Sequence, residues 1–289
     1  MKYRMMRGIC ACLGLLVFAG SVWGQGAGGV RKQLEASLLV QGEITVDEQG
    51  AIVDYTLKEP DKLPADVVAF IRGNLAGWAF DPPRIDGKAV RIRNDMSLLL
   101  VAKKVDDDSF LMRVQAASFY PQSTGEGYEI VRRKMDPPRY PVAAARGGAQ
   151  GTVYLVLKVG RDGLVQDVIA EQVNLRVVAS ENMMRQLREM FAEVSINAAR
   201  KWQFTPPTRG DDVGAEFWSV RVPVDFNMGT KLPRYGRWVG YIPGPRQKAG
   251  WVDQELAEMS PEAMAAGEPR QLGREGLRLR LRTLLSQGG

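Results

Sequence analysis

Apolar residues recur at every second position in several stretches of the chain and at every third or fourth in two others. In Gly151–Val159, Val153, Leu155, Leu157 and Val159 fall on one side, with Thr152, Tyr154, Val156 and Lys158 on the other. A period of two marks a strand. Gly160-Arg161-Asp162-Gly163 reads as a hairpin turn, since Asp-Gly favours positive φ, and 164–169 as the returning strand. Ser180 is positioned to cap a helix reaching about Lys201, with Met184, Leu187, Phe191, Val194 and Ala198 as its apolar stripe. Pro206 and Pro207 forbid further helix. Trp218, Val220, Val222, Val224 and Phe226 then alternate with Ser219, Arg221, Pro223 and Asp225 in a closing strand.

The same order occurs upstream. Val40, Ile44 and Val46 predict a strand, Asp47-Glu48-Gln49-Gly50 a turn and 51–57 the return. Pro64–Gly77 reads as a shorter helix carrying Val67, Phe70, Ile71 and Leu75. Val90, Ile92, Met96, Leu98 and Leu100 alternate in its closing strand, and Phe110–Phe119 reads as an added one. After each helix stands W-x-F-x-P-P: Trp78, Phe80 and Pro82 in the first copy, Trp202, Phe204 and Pro206 in the second. Matching features in one order indicate an internal repeat. The pattern predicts an α+β chain of two tandem small domains, each a three-stranded antiparallel sheet packed with helices. The divisions are residues 38–119, a linker at 120–134, and residues 135–228. Residues 229–289 read as a Pro/Gly/aromatic linker and a helical tail, the helix over 252–266; 277–282 fits a strand or a helix equally.

Lys2, Arg4 and Arg7 precede an apolar run from Ile9 to Trp23, then Gly24 and a Gly-rich stretch. This is the order of an export signal peptide, with cleavage expected after Gly24. An uncleaved inner-membrane anchor over residues 8–30 is the competing reading, although a span wants about 20 mostly apolar residues. Either reading places the body in the periplasm. The Gly24–Gly29 match to G-x-G-x-x-G lacks a preceding strand and reads as flexible linker.

Composition then removes chemistry. The chain has no His, and its two Cys, at positions 10 and 12, lie in the leader. Imidazole-dependent triads, dyads and metal sites are excluded, as are thiolate sites in the folded body. No P-loop, G-x-S-x-G or outstanding carboxylate pair is present, so no enzyme activity, catalytic residue, cofactor or metal site is expected. The net charge of +6 falls to +3 without the leader, too little to argue for nucleic acid.

One segment resembles a known family. Pro138-Arg139-Tyr140-Pro141 with Ala144, Ala145 and Gly147, then Gly151-Thr152-Val153, Asp162-Gly163, Ala198-Ala199, Trp202-Gln203-Phe204-Thr205-Pro206 and Pro223-Val224-Asp225-Phe226 resemble the C-terminal domain of TonB energy transducers. The upstream copy resembles a degenerate version. The resemblance implies a periplasmic domain that engages peptide segments of outer-membrane receptors by strand addition at a sheet edge. Candidate partner-binding residues are therefore Arg139, Tyr140, Pro141, Val220, Arg221, Val222, Val224 and Phe226. Pro223 suits an edge, because it lacks a donor. A closing-strand edge covered by the tail would mean regulated or abolished strand addition.

The chain departs from the family pattern in having no His and a short segment, Gln25–Ser37, before the first domain. A binding or adaptor role follows, with receptor segments or motor-complex proteins as partners. A structural module that binds peptidoglycan or self-associates, and a transducer with an uncleaved anchor, are the alternatives. Elsewhere, Trp78, Phe80, Trp202 and Phe204 fit core positions better than a ligand platform. Asp106-Asp107-Asp108 fits a solvated turn better than a cation site. Arg132-Arg133-Lys134, Arg278, Arg280 and Arg282 fit solvated faces better than polymer contacts. The aromatics at 234–251 are unusual for a linker and suggest a partner or membrane contact.

Overall fold

The computed structural model describes residues 6–7, 27–31, 33–85, 87–104, 109–121, 127–228, 235–253, 260–264, 269–272, 279–283 and 285. The first part contains β1 (Met6–Arg7), α1 (Ala27–Arg31), β2 (Glu35–Val46), β3 (Ile52–Leu57) and α2 (Ala65–Leu75). The hairpin β4 (Arg84–Ile85) and β5 (Lys88–Ala89) follows, then β6 (Ile92–Lys104) and β7 (Ser109–Pro121). The second part contains β8 (Val131–Lys134), α3 (Val142–Arg146), β9 (Gly151–Gly160), β10 (Val165–Leu175), α4 (Glu181–Ala199), β11 (Gln203–Thr205) and β12 (Phe217–Phe226). Two short strands, β13 (Val239–Tyr241) and β14 (Arg270–Leu272), come from the C-terminal segment.

The architecture is α+β. One sheet runs β1-β7-β6-β2-β13, with β3 also on β2; the other runs β10-β9-β12-β14. The expected three strands are the centre of each sheet: β3-β2-β6 in one, β10-β9-β12 in the other. Both sheets are larger than three strands because β1, β7 and the C-terminal segment add to them.

Each sheet buries one face under a helix. Val153, Leu155, Leu157 and Val159 on β9 are fully buried with Met184, Leu187 and Phe191 of α4. The Ser180 hydroxyl accepts from the Met183 N–H and caps that helix. Val67, Ile71 and Leu75 of α2 pack with Val40, Ile44, Leu98 and Leu100 in the same way. The long side chains of the repeated motif are core: Trp78, Phe80, Trp202 and Phe204 are all buried.

The two halves share one further device. Gly50 and Gly163 hold φ of +88° and +76° at their hairpin turns. The Phe80 N–H donates to the Gly50 carbonyl at 2.9 Å, and the Phe204 N–H donates to the Gly163 carbonyl at 2.8 Å. A Cβ on Gly50 would lie 2.1 Å from the Phe80 oxygen, and one on Gly163 2.0 Å from the Phe204 oxygen. Each turn is thus pressed against the W-x-F strand that follows its helix, with no room for a side chain. Gly163→Ala should cost about 2 kcal/mol from the left-handed backbone and the collision. Urea unfolding checks this; an unchanged midpoint would mean that the turn relaxes.

The described residues of the C-terminal segment run as a strap along the two sheets; most of the stretch expected to be helical lies outside the described residues. After β13 pairs with β2, Ile242 exchanges backbone hydrogen bonds with Leu175 at the outer edge of β10, and the Gln247 N–H donates to the Glu171 carbonyl at 2.7 Å. Within 252–266 the described residues form only a 3-10 turn, Pro261–Ala263. Leu281 makes an isolated bridge to Phe80, and the Arg282 N–H donates to Ala79. The strap therefore touches the first sheet, both edges of the second, and then the W-x-F segment of the first half.

This accounts for the aromatics of 234–251. Tyr235 and Trp238 pack on the first core, Tyr241 is buried, and Trp251 packs beside Val156 and Ala249. They cover this chain's own apolar surface; Arg234 lies outside the described residues. The stretch after the apolar run is likewise more than linker, since Ala27–Arg31 forms a helical turn whose Val30 is buried in the second core. Residues 8–26 and Asp106–Asp108 lie outside the described residues. Among the described residues no helix is long and apolar enough to cross a membrane.

Candidate functional site

The outer edge of β12 is the closing-strand edge at which strand addition is expected. On its inner side β12 pairs with β9 over its whole length, Phe217↔Gly160 to Phe226↔Gly151. On its outer side, among the described residues, Ser219, Val220 and Arg221 are paired, with Leu272, Gln271 and Arg270 of β14. The pairing stops two residues before Pro223, which has no N–H to offer a ladder. Among the described residues, Val222–Phe226 has no strand on that side.

The side chains of β12 are committed inward on both faces. Val220, Val222 and Phe226 are buried against α4, and Val224 is half-buried there. The opposite face, read from the sequence as polar, is buried too. Arg221 is 1% exposed and Glu171 2%. Arg221 donates Nε to Glu171 Oε2 at 2.7 Å and Nη2 to Oε1 at 2.9 Å. Arg246 of the strap donates Nη2 to Glu171 Oε1 at 2.6 Å. Arg221 is thus held in a buried ion cluster under the strap. Further along, Arg176 Nη1 and Thr152 Oγ1 both donate to Asp225 Oδ1. What β12 can offer a partner is its backbone.

Arg139, Tyr140 and Pro141 sit at the start of the domain. The Tyr140 hydroxyl donates to the Ala149 carbonyl, and its ring stands edge-on to Phe191 at 5.9 Å and Phe226 at 5.5 Å. Burial pushes this phenol's pKa up. Pro141 precedes α3, and its carbonyl accepts from the Ala145 N–H. Tyr140 and Pro141 therefore fix how the chain joins the sheet, and of the three only Arg139 is exposed. Arg132, Arg133 and Lys134 are exposed on β8, as are Arg280 and Arg282 on the strap; Arg278 lies outside the described residues.

Sequence reasoning missed two charged groups. Glu171 lies beyond the point where the alternation of β10 breaks, at a register shift between Ala170 and Gln172. Glu262 sits on the strap's 3-10 turn, 8% exposed. Its Oε1 accepts from Gln172 at 2.9 Å and from Asn174, and its Oε2 accepts from the Tyr241 hydroxyl at 3.4 Å. Burial raises its pKa; the Asn174 hydrogen bond opposes the rise, Glu35 adds to it, and Tyr241 and Gln172 oppose it. Glu35 is itself paired with Arg113 at 3.1 Å, and the buried Tyr154 phenol, raised by its own burial, also faces Glu262.

A carboxyl with a raised folded-state pKa contributes stability that is full below its unfolded value and is lost as pH rises through the folded one. The Glu262 contribution should therefore fade upward from pH about 4.3. Glu262→Gln should flatten the slope of Tm against pH above that point. An identical slope in both proteins would place the titration elsewhere.

Among the described residues no group of three or more Cys, Asp or Glu is arranged to hold a metal ion. Residues 136–228 match the family model described as Gram-negative bacterial TonB protein C-terminal. The chain is 37% identical over 104 residues to Protein TonB of Xanthomonas campestris pv. campestris (strain B100), covering 36% of this chain and 40% of that protein. It is 31% identical over 91 residues to Protein tonB2 of Pseudomonas aeruginosa, covering 32% of this chain and 28% of that one. The chain thus spans less than half the length of these relatives. No solved structure gives a significant match. Residues 136–228 are similar to the C-terminal domain of TonB proteins, and the family match does not extend to the upstream half.

Proposed function

We propose that this chain, through the TonB C-terminal domain at residues 136–228, is a non-enzymatic periplasmic protein-binding module. It engages extended peptide segments of envelope proteins, such as TonB-dependent receptors, by adding them as a strand to the outer edge of β12. One observation carries this reading: that edge already accepts an antiparallel strand, β14, from outside the domain. A sheet edge offers a row of N–H and C=O groups, which gives affinity to any extended backbone, and flanking contacts then select among them. The basic head and apolar run of the first 23 residues supply export.

The test is a titration of the full chain with synthetic peptides from the periplasm-facing N-terminal segments of outer-membrane receptors. Binding is expected, with protection of the 217–226 backbone against hydrogen exchange. No binding to any such peptide, either by the wild-type chain or by a chain in which Gln271→Pro releases β14, would sink the proposal.

A further inference from the structure

We infer that β14 stands where the partner strand goes, so that an incoming segment must displace it and must present the same side-chain chemistry. That chemistry is a hydrogen-bond acceptor opposite Val220 next to an apolar residue opposite Ser219. The inference rests on the strand-addition reading above.

Three contacts among the described residues indicate what the edge recognises in β14. Leu272, opposite Ser219, is 7% exposed and packs with Val156 and Ala249. Gln271, opposite Val220, points to the other face, where its Oε1 accepts from the Ile130 N–H at 3.3 Å. Arg270, opposite Arg221, lays its guanidinium over the Tyr120 ring at 4.7 Å. Alternate side chains on an added strand reach opposite faces, so Leu272 and Gln271 are read independently.

The occupancy is limited in extent. Among the described residues β14 pairs at three positions, and a cavity of about 490 Å³ opens beside Arg270, Met264 and Tyr120. Three paired residues hold the edge because they are tethered. An intramolecular strand acts at a local concentration in the millimolar range, which a free segment must overcome. Release of β14 therefore governs access to the edge.

The probe is a fluorescent peptide of residues 264–276 of this chain, with versions carrying Gln271→Ala and Leu272→Asp. The proteins are full chains: wild type, Gln271→Pro, and a lockable Ser219→Cys/Leu272→Cys chain with Cys10 and Cys12 replaced by serine. Directly opposed strand positions suit a disulfide. The Gln271→Pro chain should bind the probe at least about tenfold more tightly than wild type. The oxidised lock should not bind it, and reduction should restore binding. Either altered peptide should bind the released chain at least about tenfold more weakly, as loss of an anchor contact requires.

Equal binding to all chains, or tight binding of both altered peptides, would overturn the inference. The locked pair keeps the test valid should Gln271→Pro not fold. Receptor peptides binding equally to locked and reduced chains would overturn the inference while leaving the envelope-partner reading intact. Receptor peptides failing on a released chain that binds the 264–276 probe would do the opposite.

Discussion

Glu171→Ala is expected to lower the free energy of unfolding by about 3–5 kcal/mol, the usual cost of leaving a buried charge without its partner. Glu171 and Arg221 are among the least exposed charged residues of the chain, at 2% and 1%. The carboxylate receives both Nε and Nη2 of Arg221 as well as Arg246. Its removal strands the Arg221 guanidinium between the sheet and the strap, where water cannot replace the lost acceptor. Arg246 suffers less, because 26% of its side chain remains exposed. The double change Glu171→Leu/Arg221→Met should therefore recover most of the loss, since apolar residues of similar volume replace such pairs at little cost. Urea unfolding followed by tryptophan fluorescence measures both. A single-variant loss under about 1 kcal/mol would mean that the strap opens to hydrate Arg221. The same cluster joins the closing strand to the strap, so weakening it should also loosen β14.

Phe191→Ala should be of similar size, about 3–5 kcal/mol. The Phe191 ring is fully buried, stacked on Phe226 with centroids 4.3 Å apart and planes 18° from parallel. Tyr140 stands edge-on to both rings. These three residues come from the centre of α4, the end of β12 and the segment before α3, so no single backbone shift can close the space. Glu193→Ala, an exposed change on the same helix, should stay within about 0.5 kcal/mol. Comparable effects from the two variants would contradict this packing.

The centre of each sheet was legible because it obeys simple periods. The alternation at 151–159 and the stripe Met184, Leu187, Phe191 place β9 and α4 within a residue or two of their observed limits. The W-x-F motif marked Trp202 and Phe204 as core for a physical reason: two large rings beside a Pro pair leave the helix and must be buried. The strap was not legible, because its ordered contacts are short. β13 and β14 have three residues each, too few to show a period. A covered face also hides its charges, so Arg221 reads as solvent-facing in the alternation Ser219, Arg221, Pro223, Asp225. That alternation is correct about which face each residue takes; it carries no information on whether another segment lies over that face. The covered edge anticipated as a possibility is real over Ser219–Arg221 and absent over Val222–Phe226 among the described residues.

The central claim is that the outer edge of β12 is a strand-accepting site held by β14. Hydrogen exchange on the 217–226 segment tests it most directly, comparing wild type, Gln271→Pro, and Gln271→Pro with the 264–276 peptide added. The account predicts faster exchange in the variant, confined to this segment and the strap, and recovery of protection when the peptide binds. Unchanged exchange in the variant, or a peptide that leaves the exposed segment unprotected, would contradict it.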